Sequence, residues 1–127
     1  TLATSCYYSM FSGCTSLTTA PVLPATTLAT SCYYSMFSGC TSLTTAPVLP
    51  ATTLATSCYY SMFSGCTSLT YIKAMFKGLS TSALAPTANW VKGVAAEGTY
   101  VKNAEATYTS TGDSAIPEGW TVETATE

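Results

Sequence analysis

Apolar residues in the segment 27–52 fall on two successive patterns. Leu28, Ala29, Cys32, Tyr33, Met36 and Phe37 recur at steps of three and four, the spacing of one helical face, with Thr30 or Ser31 available as an N-cap and Gly39 placed as a stop. This spacing predicts a helix of one to three turns. Beyond Gly39 the pattern becomes Cys40, Leu43, Ala46 and Val48, which suits a bend feeding a short extended strand, while Pro47 and Pro50 restrict its pairing. The unit therefore reads as helical turn, bend, strand and proline corner.

That unit is repeated. Residues 1–26 recur letter for letter as 27–52, and a third copy runs from Thr53 to Thr70 before the sequence departs at Tyr71. A fixed period of 26 residues signals stacked units, each with an apolar side that it cannot bury alone. The expected fold class is an α/β repeat, a leucine-rich-repeat-type solenoid of 26-residue units closed by a small, mostly β C-terminal cap. Residues 1–78 are assigned to the solenoid, 79–88 to a connector and 89–127 to the cap. In the cap, Asn89 to Val94, Thr99 to Lys102, Thr107 to Thr109 and Trp120 to Glu123 read as strands between turn signals. Thr1 opens a full repeat with no capping sequence before it and reads as a cut point in a longer precursor or an artificial boundary. Upstream repeats, another domain or self-association is expected to cover that end.

The segment F-S-G-C-T-S-L-T, at 11–18, 37–44 and 63–70, resembles the F-x-G-C-x-x-L-T core of BspA-like leucine-rich-repeat surface proteins of Bacteroidota. The likeness extends over residues 1 to about 76. N-W-V-K-G-V at 89–94, G-T-Y-V-K at 98–102 and I-P-E-G-W-T-V at 116–122 resemble the closing segment that follows such repeats in gut Bacteroides proteins and their phages. The resemblance implies an exported, noncatalytic recognition protein, either an adhesin-like surface molecule or part of a phage fibre. Its location would be extracellular, on a cell surface or on a virion.

Charge narrows the function. All ten charged side chains lie from Lys73 onward, the net charge is −2, and the chain contains no His, Arg or Gln. Without His there is no Ser/His/Asp or Cys/His set and no imidazole ligand, so no enzyme, metal or cofactor is expected. Glu97, Glu105, Asp113, Glu118 and Glu123 sit in a turn-rich stretch with no evident convergence. Four Lys give no basic footprint for nucleic acid. Ser and Thr occupy 28 of the first 70 positions and interrupt every apolar run, so no membrane span is expected.

The candidate residues are repeated ones. Cys6, Cys32 and Cys58 form one expected ladder, and Cys14, Cys40 and Cys66 a second, read either as free buried thiols or as intra-unit disulfides such as Cys6 with Cys14. Of each tyrosine pair one member should face inward. Tyr33 shares a stripe with Ala29 and Phe37, leaving Tyr8, Tyr34 and Tyr60 on the outer surface. These three either stack against sugar rings or a partner, or merely cover the helical layer. Thr18 and Thr44 form a second exposed column on the strands, where Thr also belongs for structural reasons. Asp113-Ser114-Ala115 resembles the D-S/T-A type of O-glycosylation site, with Ser114 as acceptor, and reads equally as an Asp/Ser turn. Two functions follow. One is a noncatalytic module that binds a surface glycan or glycoprotein through its repeat faces; the other is a structural element whose stack continues into another chain.

Overall fold

The computed structural model describes residues 2–78 and 86–125; most of the expected connector, residues 79–85, and Thr1 at the expected cut point lie outside the described residues. Within each copy the stretch expected to be helical is a run of consecutive turns. Ser5, Ser9 and Gly13 have φ of 56, 54 and 76°, and their counterparts Ser31, Ser35, Gly39, Ser57, Ser61 and Gly65 repeat this left-handed conformation. A left-handed residue at every fourth position breaks the α-helical path.

The backbone hydrogen bonds show what replaces the helix. Cys6, Tyr8, Met10 and Ser12 donate to carbonyls three residues back, as in successive tight turns. The alternate donors Ser5, Tyr7, Ser9, Phe11 and Gly13 point out of the copy and donate to Thr30, Cys32, Tyr34, Met36 and Ser38 of the next at 2.7–3.0 Å. The second copy donates to Thr56, Cys58, Tyr60, Met62 and Ser64 in the same way. Tyr59, Ser61, Phe63 and Gly65 of the third then donate to Pro86, Ala88, Trp90 and Lys92. Asn89 and Gly93, also left-handed, take the places of Ser61 and Gly65 in that layer. The left-handed φ of Gly13, Gly39 and Gly65, 76, 77 and 78°, explains the glycine column, since a residue with a Cβ is strained there.

Regular strand is confined to β1, Tyr71–Ala74, β2, Thr99–Lys102, and β3, Thr121–Thr124. They form one parallel sheet in the order β1-β2-β3, with Tyr71 opposite Thr99 and Thr99 opposite Thr121. The copies themselves contribute isolated bridges, Thr19 to Thr45, Thr45 to Tyr71 and Leu49 to Ala74. β1 follows the second copy with Tyr71 opposite Thr45 and Ala74 opposite Leu49, so the register slips by one residue across the stretch that holds Pro47.

These observations correct the expected fold class. Among the described residues there is no helix, and three four-residue strands with intervening turns and extended chain do not make an α/β leucine-rich-repeat-type solenoid. The expected mostly β cap reduces to β2 and β3; Asn89 to Gly93 are turns, and Val94 and Thr107 to Thr109 are irregular. Apolar residues at steps of three and four satisfy a turn run of period four as well as a helix of period 3.6, and over two turns the two patterns differ by less than one residue.

The core runs through the stack as columns of like residues. Phe11, Phe37 and Phe63 stack at 5.6 and 5.8 Å, and Tyr7, Tyr33 and Tyr59 at 5.8 and 6.0 Å. Both columns end on Trp90, which packs with Phe76 and Tyr100. Each fully buried aromatic contributes roughly 1.5–3 kcal/mol by removal from water. Trp90 donates its indole N–H to the Ala115 carbonyl, and Trp120 donates to Ala95, both at 2.8 Å. Tyr100 and Tyr108 share a hydroxyl hydrogen bond of 2.9 Å inside this cluster.

Candidate functional site

The outer tyrosines form a continuous stack. Tyr8 and Tyr34, and Tyr34 and Tyr60, have ring centroids 4.5 Å apart and planes within 6 and 7°. The turn run aligns them because each copy repeats the same left-handed positions, so equivalent Cβ atoms point the same way. Tyr8 is 52% exposed, whereas Tyr34 and Tyr60 are half-buried and Tyr33 is buried beneath them. Both faces of Tyr34 are covered by its neighbours, so its ring offers a partner an edge and a hydroxyl rather than a stacking face. Burial, followed by the adjoining Tyr60 and Tyr8, raises the Tyr34 phenol above its usual range and keeps it protonated. Chemically the column is a row of neutral hydroxyls on a rigid aromatic support.

Thr18 and Thr44 are exposed, and with Thr19, Thr45 and Pro47 they border an open groove that contains none of the tyrosines. The two columns are therefore separate surfaces. The groove follows from the bridge between Thr19 and Thr45, which aligns these stretches without closing a full ladder.

All six cysteines are free: Cys6 and Cys14 are exposed, and Cys32, Cys40, Cys58 and Cys66 are buried. The second ladder joins the copies. Cys40 Sγ donates to the Phe11 carbonyl at 3.1 Å and Cys66 Sγ to the Phe37 carbonyl at 3.0 Å. Burial pushes the Cys58 and Cys66 thiols up to about 12 and raises those of Cys32 and Cys40. A thiol held protonated in this way is a poor nucleophile.

Ser114 lies against the fourth layer. Its Oγ accepts the Asn89 N–H at 2.9 Å and its carbonyl accepts the Thr87 hydroxyl at 2.8 Å, so it serves as a turn anchor for that layer. Glu105 pairs with Lys77, whose hydrogen bond and charge lower its carboxyl below the usual range. Among the described residues no group of three His, Cys, Asp or Glu side chains converges as a metal site. Among these residues no helix is long and apolar enough to cross a membrane.

The first copy carries an apolar surface at the end that the sequence expects upstream repeats, another domain or self-association to cover. Leu2, Tyr7, Val22, Leu23 and Pro24 border an open groove in front of Tyr33, and Met10 is 57% exposed although its counterparts Met36 and Met62 are buried. No family model, curated protein or solved structure matches the chain.

Proposed function

We propose that this protein is a noncatalytic recognition module, displayed outside the cell or on a virion, that binds a neutral surface glycan or glycoprotein through its repeated face. The observation carrying this reading is the Tyr8, Tyr34 and Tyr60 column, with uncharged hydroxyl-bearing rings at 4.5 Å intervals. Identical groups at regular intervals suit a repeating ligand, and weak single contacts gain strength when several act together. Because residues 1–70 carry no charge, binding has no long-range electrostatic component. The test is a screen of immobilised glycans and host-surface glycoproteins with the parent chain beside the Tyr8→Phe, Tyr34→Phe, Tyr60→Phe triple variant, which keeps the stack and removes the hydroxyls. Binding should fall by about tenfold or more, the loss of one or two hydrogen bonds at about 1 kcal/mol each, and should vary little with salt. Equal binding by both proteins sinks the assignment to this column.

A second reading, a structural element whose stack continues into another chain, is favoured by the alternate turn amides through which each copy bonds to the next.

A further inference from the structure

Tyrosines meet one another in three ways among the described residues. In the inner column, Tyr33 and Tyr59 are buried with ring centroids 6.0 Å apart. Tyr100 and Tyr108, also buried, lie edge to face at 6.4 Å and 81°. The outer column is closer and more open: Tyr34 and Tyr60 are parallel to within 7° at 4.5 Å, and both are half-buried. Their hydroxyls adjoin. In the fourth layer Ala88 accepts the turn amide of the third as Tyr60 accepts that of the second, so the column ends at Tyr60 and no further ring competes for it.

Rings this close exclude a third ring but are placed to react with each other. A phenoxyl radical carries its unpaired electron partly on the ring carbons ortho to oxygen, and two such radicals held face to face couple through those carbons. The fold has to supply only proximity and alignment, which by themselves can replace a bimolecular encounter. We propose that Tyr34 and Tyr60 form an oxidative cross-linking site, at which a one-electron oxidant of the haem peroxidase and hydrogen peroxide class joins adjacent copies through a dityrosine bond. The oxidant removes one electron and the phenolic proton from each ring. A carbon–carbon bond then forms between one ortho carbon of each, and the hydrogen on each of those carbons moves to its oxygen, which restores both phenols. One hydrogen peroxide takes up the two electrons and two protons and becomes two waters. The bond would fix covalently the spacing between two copies that are otherwise free to slide, and it does not depend on what the column binds.

The test treats dilute protein with a haem peroxidase and hydrogen peroxide and isolates the monomer under denaturing, reducing conditions. After methionine sulfoxide is reduced, cyanogen bromide cuts the chain after Met10, Met36 and Met62. Fragments 11–36 and 37–62 have the same sequence and carry Tyr34 and Tyr60 respectively. The cross-link should therefore appear as a joined pair of this fragment, lighter than the two apart by two hydrogen atoms, with the blue fluorescence of coupled phenols. Tyr34→Phe and Tyr60→Phe keep a ring in the stack, and each should lower the yield of the joined pair by about tenfold or more. Tyr8→Phe should not lower it. An undiminished yield in Tyr34→Phe would assign the coupling to Tyr33 and Tyr59 and overturn the site. Equal yield from the urea-unfolded chain overturns the role of the stack, and dityrosine found only in cross-linked oligomers overturns the bond between copies of one chain.

Discussion

In residues 2–70 a side chain at one layer meets its own counterpart at the next: Phe11 stacks on Phe37 and Phe37 on Phe63, with turn amides bonding at the same offset. From Tyr71 onward the contacts are individual. Asn103 Nδ2 donates to the Met75 carbonyl, its Oδ1 accepts the Glu105 N–H, and the two indoles reach different carbonyls. The difference concerns specificity. Sliding one identical copy past another by 26 residues would restore the same pairs, so the repeated region sets a spacing but not a unique register. The unrepeated region supplies that register, because each of its buried polar groups has one partner that satisfies it.

The largest expected effect comes from alkali, which attacks the inner layers. Burial pushes Cys58, Cys66 and Tyr108 up to about 12 and holds Tyr59 and Tyr100 well above the usual phenol range. The folded chain therefore keeps protons that the unfolded chain has already lost above the ordinary values of 9.0 for Cys and 10.0 for Tyr. Stability is present in full below about pH 9 and falls as pH rises toward about 12, where the chain should be unfolded. Denaturant midpoints between pH 7 and 12 check this; a midpoint unchanged to pH 11 would contradict burial of these groups.

Truncating the aromatic columns at their two ends separates the regions next. Trp90→Ala removes a fully buried ring on which both columns end and leaves an unpaired Ala115 carbonyl, a loss of about 3–5 kcal/mol. Tyr7→Ala, at 36% exposure in the first layer, should cost about 1 kcal/mol or less. Equal losses in chemical denaturation would mean that the first layer is as well packed as the fourth.

The smallest effect concerns the turn run. Ser35 holds φ of 52°, a conformation costing a residue with a Cβ roughly 1 kcal/mol. Ser35→Gly should therefore stabilise the chain by up to about 1 kcal/mol, and Ser35→Val should destabilise it by more than that. Thermal melts of the two variants give the sign directly. A helix at this position would reverse it, with glycine the destabilising choice.

The comparison also shows what was legible in the residues. The inward placement of Tyr33 and the outward placement of Tyr34 follow from adjacent residues facing different ways, which holds for turns as for a helix. The path between them was not legible: Ser31 and Ser35 carry little left-handed preference of their own, and only the four-residue interval that they share with Gly39 hinted at turns. The tyrosine faces were misread for a related reason. An outer column was foreseen, but a 4.5 Å contact between its members closes the ring faces to a stacking ligand.

From the sequence alone, the 26-residue period, the six cysteines in two equivalent sets and the absence of charge before Lys73 already require like residues to meet like residues and leave a surface of hydroxyls. These are properties of order along the chain, which any stack of equal units preserves. Tertiary structure decided that the units are runs of turns rather than helices, because alternate amides find their acceptors about 25 residues away, in the next copy, and no local pattern records a partner that distant.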